Sequence, residues 1–238
     1  MQKCDGVVVG AGNGGLAAAA CLAKAGKRVL LLEKHNLPGG CATSFRRGRF
    51  EFESALHELC QMGEPGQGGH VRELLDELGL DVEWVPVDEA FRSISTEPEE
   101  GYDVTIPADE QGFLDAMEKA VPGCRASMEN LMELTRMIGD GVDWLYKYNN
   151  DPPKLPMLLK WADLMRCVSV PTDEMLIKLG VPKKARHIYE SYWDYVGVDS
   201  TKMSFAVYAQ MFRMYLNFKP YICKMRSHEI ALAFDRRI

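Results

Sequence analysis

Six residues near the N-terminus, Gly10-Ala11-Gly12-Asn13-Gly14-Gly15, constrain this chain more than any other stretch. They fit the spacing GxGxxG, which by itself is a common glycine-rich turn. Their setting makes the match specific. Val7-Val8-Val9 runs straight into the turn, an alanine-rich segment follows it, and Glu33 closes a second apolar run eighteen positions after Gly15. This order predicts a buried strand over residues 4–9, a helix over 13–25 stopped by Gly26, and a parallel strand over 28–32.

Each part of such a unit has a physical role. Gly10 permits a tight turn, Gly12 keeps a Cβ out of the path of a pyrophosphate, and Gly15 lets the helix lie close on the strand. Asn13 and Gly14 complete the turn, where the first N–H groups and the positive dipole end of the helix face the phosphates. Glu33 is placed to accept hydrogen bonds from the adenosine ribose, and its charge disfavours the 2′-phosphate of NADP. The expected ligand is an adenine dinucleotide.

Composition narrows the partners. Among 238 residues, 47% are hydrophobic and 26% charged, enough to bury a core. The net charge of −6 argues against nucleic acid, which calls for a basic face. Two small basic clusters, Arg46/Arg47/Arg49 and Lys183/Lys184/Arg186, read as solvated turns or helix ends. Seven scattered cysteines without a CxxC pair fit free thiols in a reducing cytoplasm, and five histidines without ligand spacing predict no metal. The glycines interrupt any signal-peptide reading of the N-terminus, and no run reaches the roughly eighteen apolar residues of a membrane span. Peripheral membrane contact stays open.

Beyond Glu33 a loop containing Pro38-Gly39-Gly40 leads to the alternating stretch Arg49-Phe50-Glu51-Phe52-Glu53, a half-exposed strand, and then to a helix over 69–79. Segments 83–87, 91–94 and 102–106 read as a small antiparallel sheet. After Pro107 the pattern is helical over 109–120, 124–148, 155–166, 172–179, 182–195, 202–216 and 227–237, with breaks at proline and glycine. The expected architecture is α/β. Residues 1–80 would form the N-terminal part of a Rossmann-type FAD-binding domain, and 81–238 a substrate domain in which a small sheet precedes helices. The many methionines of the helical half suit either an adaptable apolar pocket or an ordinary core. Tyr189, Tyr192, Trp193, Tyr195, Tyr208, Phe212 and Tyr215 would line an apolar channel or pack together.

The stretch Glu33-Lys34-His35-Asn36-Leu37-Pro38-Gly39-Gly40-Cys41-Ala42-Thr43 resembles the FAD-dependent family of phytoene desaturases, carotenoid isomerases and retinol saturase, within the amine oxidase-like superfamily. Gly48 to His57 resembles that family's second element, and Arg226-Ser227-His228-Glu229-Ile230-Ala231-Leu232 its helix before the second cofactor-binding half. The resemblance implies FAD as cofactor, with Lys34, Gly39, Gly40, Cys41, Ala42 and Thr43 joining the glycine turn and Glu33 around it. It also implies hydride transfer with the flavin, acting on a lipophilic, isoprenoid-like substrate. Catalytic residues are unassigned: His57 falls near the flavin by resemblance, and a packed or capping histidine is the plainer reading. Cys41 lacks a redox partner. Three positions depart from the pattern, namely Cys41 for a basic residue, Glu53 for Asp and Ala55 for Gly.

Family members are considerably longer, so the fold is expected to be incomplete at its C-terminal end, with a second polypeptide as one way to close the flavin site. A truncated or split non-catalytic FAD-binding fragment is therefore the alternative, and an NAD-dependent dehydrogenase is another.

Overall fold

The computed structural model describes residues 3–98, 101–148 and 151–238. Two compact units emerge. One runs up to Val87 and is joined by Phe218–Ile238; the other is Asp88–Asn217.

The first unit is built on strand β1 (Gly6–Val9), helix α1 (Asn13–Lys24) and strand β2 (Val29–Leu32). β1 and β2 pair in parallel, Gly6 opposite Val29 and Val9 opposite Leu32, so the expected βαβ unit is present. Leu16, Ala19 and Ala20 of α1 are buried. On the sheet, Val8 and Leu31 are half-buried, whereas Val7 and Val9 are 54% and 82% exposed and Leu30 and Leu32 both 46%. The first unit thus carries an uncovered apolar sheet face, unusual because parallel strands are normally covered on both sides.

A short 3₁₀ turn, Gly40–Ala42, leads into β3 (Ser44–Arg47), which pairs antiparallel with β4 (Phe50–Glu53). Sequence reading anticipated β4 only. β3 is short and mostly exposed, and it is held by pairing across a tight turn at Gly48, whose φ is +60°. Helix α2 (His70–Leu78) buries Leu75 and Leu78 and ends at a left-handed Gly79, an ordinary glycine stop.

Strand β5 (Trp84–Pro86) corrects the expected three-stranded sheet and the domain boundary at residue 80. It pairs antiparallel with residues Tyr221–Cys223, which were not anticipated as a strand. The small sheet expected over 83–106 is therefore only the pair β6 (Glu89–Ser95) and β7 (Tyr102–Pro107). Residues 218–238, expected in the substrate domain, return to the first unit. The cause is burial: Tyr221, Cys223, Ile230, Ala231 and Phe234 share one core with Leu16, Ala20, Met62, Leu75 and Leu78. A large apolar side chain buried this way contributes roughly 1.5–3 kcal/mol.

The second unit sets helix α3 (Glu110–Ala120), capped by Asp109 whose carboxylate accepts from Gly112 N at 2.7 Å, beside α4 (Arg125–Tyr146). The segment expected as one helix over 155–166 is broken into α5 (Lys154–Lys160) and α6 (Ala162–Val168). Trp161 lies between them at φ −117°, ψ 24°, its indole buried, and Gly141 of α4 leaves the room that Trp161 and Leu164 fill. Next come α7 (Thr172–Lys178) and α8 (Lys183–Glu190), which tightens to 3₁₀ geometry over Ser191–Tyr195. Then comes α9 (Phe205–Asn217), and the chain returns through β8 (Tyr221–Cys223) to α10 (His228–Asp235) in the first unit.

Tyr189, Tyr208 and Phe212 are fully buried, with Tyr189 and Phe212 ring centroids 4.7 Å apart, and the Tyr208 hydroxyl donates to the Tyr189 carbonyl at 2.5 Å. These aromatics form core, not a channel wall. Among the described residues, no helix is long and apolar enough to cross a membrane.

Candidate dinucleotide site

Local backbone chemistry shapes the glycine turn. Gly10 sits at φ +99°, where side chains are strained, and a Cβ on Gly15 would come within 1.9 Å of the Gly10 carbonyl oxygen. Gly15 is therefore required by packing. A Cβ on Gly12 or Gly14 would meet open space. α1 has no side-chain cap, so its first N–H groups face outward without partners inside the helix. This turn fits an anion.

The Gly39-Gly40 loop returns onto it. Gly39 N donates to Ala11 O at 2.6 Å, Gly12 and Gly39 form a parallel bridge, and a Cβ on Gly40 would lie 3.1 Å from Gly12 Cα. Both loop glycines have positive φ, +113° and +59°. Two glycine motifs far apart in the sequence thus form one backbone cradle, in which Gly39 and Gly40 lie against Ala11 and Gly12.

Glu33 has a role that sequence reading missed. Its carboxylate accepts from Ala11 N at 2.5 Å and from His35 N at 2.8 Å. The His35 N–H, followed by the Ala11 N–H, holds its pKa below the usual glutamate value. A carboxylate oxygen carries more than one acceptor site, so these contacts leave capacity for a ribose hydroxyl. Lys34 and Cys41 are exposed, and Ala42 is half-buried.

Thr43 is buried, and its hydroxyl lies 2.6 Å from Nδ1 of His228 at the start of α10. The neighbouring loop is tied down too. The Ser54 hydroxyl donates to the Thr43 carbonyl, and Glu53 accepts from Ser227 N at 3.0 Å and from the Ser227 hydroxyl. Arg226 bridges Glu51 and Glu229 at 3.2 and 3.3 Å. Burial first, then the Arg226 charge, pushes the His228 pKa below that of a free imidazole. The 226–232 stretch carried a family signal in the sequence, but its contact with Thr43 did not show there.

His57 is exposed and lines a cavity of about 140 Å³ with Trp84, Tyr221, Met225 and Arg226, without any residue of the glycine turn. Cys223, at the same cavity, is pushed up to about 12 by burial and by Glu53 and Glu229, so it stays a thiol. Among the described residues, no group of three or more His, Cys, Asp and Glu is placed to hold a metal ion.

Fold and cradle define a Rossmann-type dinucleotide-binding protein. Residues 8–78 match the family described as NAD(P)-binding Rossmann-like domain. All-trans-retinol 13,14-reductase of Rattus norvegicus is 29% identical over 97% of this chain and 39% of its own length. A chloroplastic prolycopene isomerase of Daucus carota is 34% identical over 36% of this chain and 14% of its own. Among solved structures, cyclohexylamine oxidase from Brevibacterium oxydans superposes with a TM-score of 0.62 at 17% identity, covering 100% of this chain and 50% of that one, a likeness of fold. These likenesses agree with the desaturase, isomerase and saturase family that its N-terminal motifs resemble. The chain spans about two-fifths of the length of the rat relative.

Proposed function

We propose that this chain is the nucleotide-binding part of an FAD-dependent oxidoreductase that acts by hydride transfer with the flavin on a lipophilic, isoprenoid-like substrate. The observation that carries the reading is the double glycine cradle, in which Gly39 N donates to Ala11 O and the Glu33 carboxylate holds Ala11 N. Gly12, Asn13, Gly14 and Gly15 at the open end of α1 would hold the pyrophosphate, and Glu33 the adenosine ribose. Gly39, Gly40, Cys41, Ala42 and Thr43 would flank it, with Lys34 at the rim. When bound, FAD supplies a ring that accepts or donates hydride; these residues bind and orient it.

The substrate class follows from the relatives, which are a retinol reductase and prolycopene isomerases. Peripheral membrane contact is supported by α5, where Leu155, Leu158 and Leu159 are 66%, 66% and 76% exposed between Lys154 and Lys160. That pattern fits an anionic lipid surface.

A second reading, a non-catalytic fragment or a subunit that needs further polypeptide, is favoured by the uncovered face of Val7, Val9, Leu30 and Leu32. In this reading further polypeptide lies over that face and helps to close the flavin site. The test is a visible spectrum of purified protein, with FAD and NAD titrated side by side. Yellow protein whose melting temperature rises with FAD supports the first reading. Response to NAD alone would assign a nicotinamide dehydrogenase instead, and FAD retention without turnover favours the fragment.

A further inference from the structure

We propose that the outward face of the β3–β4 hairpin is a docking surface for an acidic segment of a partner protein, with Arg47 and Arg49 receiving its carboxylates. Phe45, Phe50 and Phe52 would cover an apolar side chain beside them. The surface shares no residue with the nucleotide cradle, so it goes beyond the flavin reading.

Strand register sorts the side chains of the hairpin. Phe45 stands opposite Phe52 and Arg47 opposite Phe50, which puts these four on one face and Ser44, Arg46, Glu51 and Glu53 on the other. The second face is engaged. Arg46 pairs with Glu51 at 3.3 Å, Arg226 reaches Glu51 at 3.2 Å, and Glu53 accepts from Ser227 N at 3.0 Å. The aromatic face is open, with Phe45, Phe50 and Phe52 39%, 58% and 44% exposed. Both carboxylates of the hairpin lie on the engaged face, so the aromatic face carries positive charge alone.

The arginines are held in place. The Arg47 guanidinium lies 5.3 Å from the centre of the Phe45 ring, and that of Arg49 lies 5.1 Å from the centre of Phe50. Phe45 and Phe52 stack at 5.1 Å, which makes a flat platform beside them. Arg47 gives one N–H to the Arg46 carbonyl at 3.2 Å, and among the described residues neither Arg47 nor Arg49 forms an ion pair. A guanidinium stacked on a ring keeps its N–H edge free while losing much of its side-chain freedom beforehand. Two such groups next to exposed rings make a prepared receptor for carboxylates.

The chemistry selects the partner. A planar fork binds a carboxylate bidentately, and arginine with aromatic residues is the composition of strong protein–protein contact points. An exposed apolar patch rimmed by charge marks an interaction site. An anionic bilayer also attracts arginine, but a fluid headgroup layer rewards charge alone, whereas a fixed fork rewards a directional carboxylate.

The probe is a fluorescein-labelled dodecapeptide of alternating glutamate and leucine, titrated into the full chain and followed by anisotropy. Its lysine–leucine counterpart and phosphatidylserine vesicles are run beside it. The acidic peptide is expected to bind, more weakly as salt rises, and the lysine peptide to bind far less. Arg47→Gln combined with Arg49→Gln should weaken binding about tenfold, as the loss of two exposed ion pairs would. Arg47→Lys combined with Arg49→Lys keeps the charge without the fork and should fall between. Phe50→Ser should also weaken binding about tenfold, through lost apolar contact. These side chains are exposed, so melting temperatures should hold, and the salt and lysine-peptide arms need no variant.

Equal binding of the two peptides, or undiminished binding in the double glutamine variant, would overturn the proposal. Lysine variants that bind as tightly as the parent would reduce the site to bare charge and likewise overturn it. Vesicles held through Arg47 and Arg49 in place of the peptide would assign the face to lipid, and a dimer lost in Phe50→Ser would assign it to a second copy of this chain; either result overturns it too.

Discussion

Thr43 Oγ1 stands 2.6 Å from Nδ1 of His228, a buried contact between residues 185 positions apart. It joins the end of the Gly39–Thr43 loop to the first residue of α10, and Ala231 of the same helix lies against Gly39. The nucleotide loop is therefore fixed by a helix from the far end of the chain.

Breaking that contact should loosen the loop. Thr43→Val leaves the imidazole nitrogen buried without a partner, at a cost of about 1–3 kcal/mol. A lower urea midpoint at unchanged m-value, together with weaker FAD binding, is the expected result. The imidazole also makes stability depend on pH. Its folded pKa is lowered, so the unfolded chain binds the extra proton; the contribution is complete above the unfolded value of about 6.5 and is lost as pH falls below it. Unfolding midpoints of His228→Gln should show a flatter slope across that window than those of the parent.

Gly12 and Gly15 should separate ligand binding from folding. In Gly15→Ala the new methyl meets the Gly10 carbonyl, so the melting temperature should drop sharply, by roughly 2–4 kcal/mol of stability. Gly12→Ala places its methyl in open space and should change stability by only about 0.5 kcal/mol. Its FAD affinity, measured by flavin fluorescence, should nevertheless fall more than tenfold, because the methyl stands where the pyrophosphate approaches.

Glu33 should act through its charge. Glu33→Ala frees the Ala11 and His35 N–H groups and should lower FAD affinity by about tenfold or more in equilibrium titration. Glu33→Gln keeps the size but offers one acceptor oxygen, so an intermediate affinity is expected. With the pKa held down by these two N–H groups, binding to the parent should persist at acidic pH below the ordinary glutamate range.

Lipid contact through α5 is tested by co-sedimentation with vesicles. Leu158→Asp combined with Leu159→Asp should abolish sedimentation with anionic phosphatidylserine vesicles without lowering the melting temperature, since both side chains are exposed. Retained binding would assign the interaction to another surface.

The nucleotide half of this protein was legible in its residues because local physics dictates it. Gly10, Gly12 and Gly15 between a valine strand and an alanine helix allow few other conformations, and the acid at 33 follows from the length of the unit. The same reading joined 83–87 to 91–106, since period-two patterning announces a strand but never its partner. Burial made that choice: Trp84–Pro86 reaches Tyr221–Cys223 across more than a hundred residues because both sides share one core. Trp161 likewise broke an expected helix by filling the space left by Gly141.

What the amino-acid sequence determined by itself is the βαβ unit, the glycines of its turn and the family resemblance. Only the tertiary structure decided that Gly39 and Gly40 close on Gly12, that His228 holds Thr43, and that Glu33 grips the turn through Ala11. The physical reason is range. Turn geometry and helix spacing act over a few residues and are written locally, whereas hydrogen bonds between distant segments exist only after burial has brought them together.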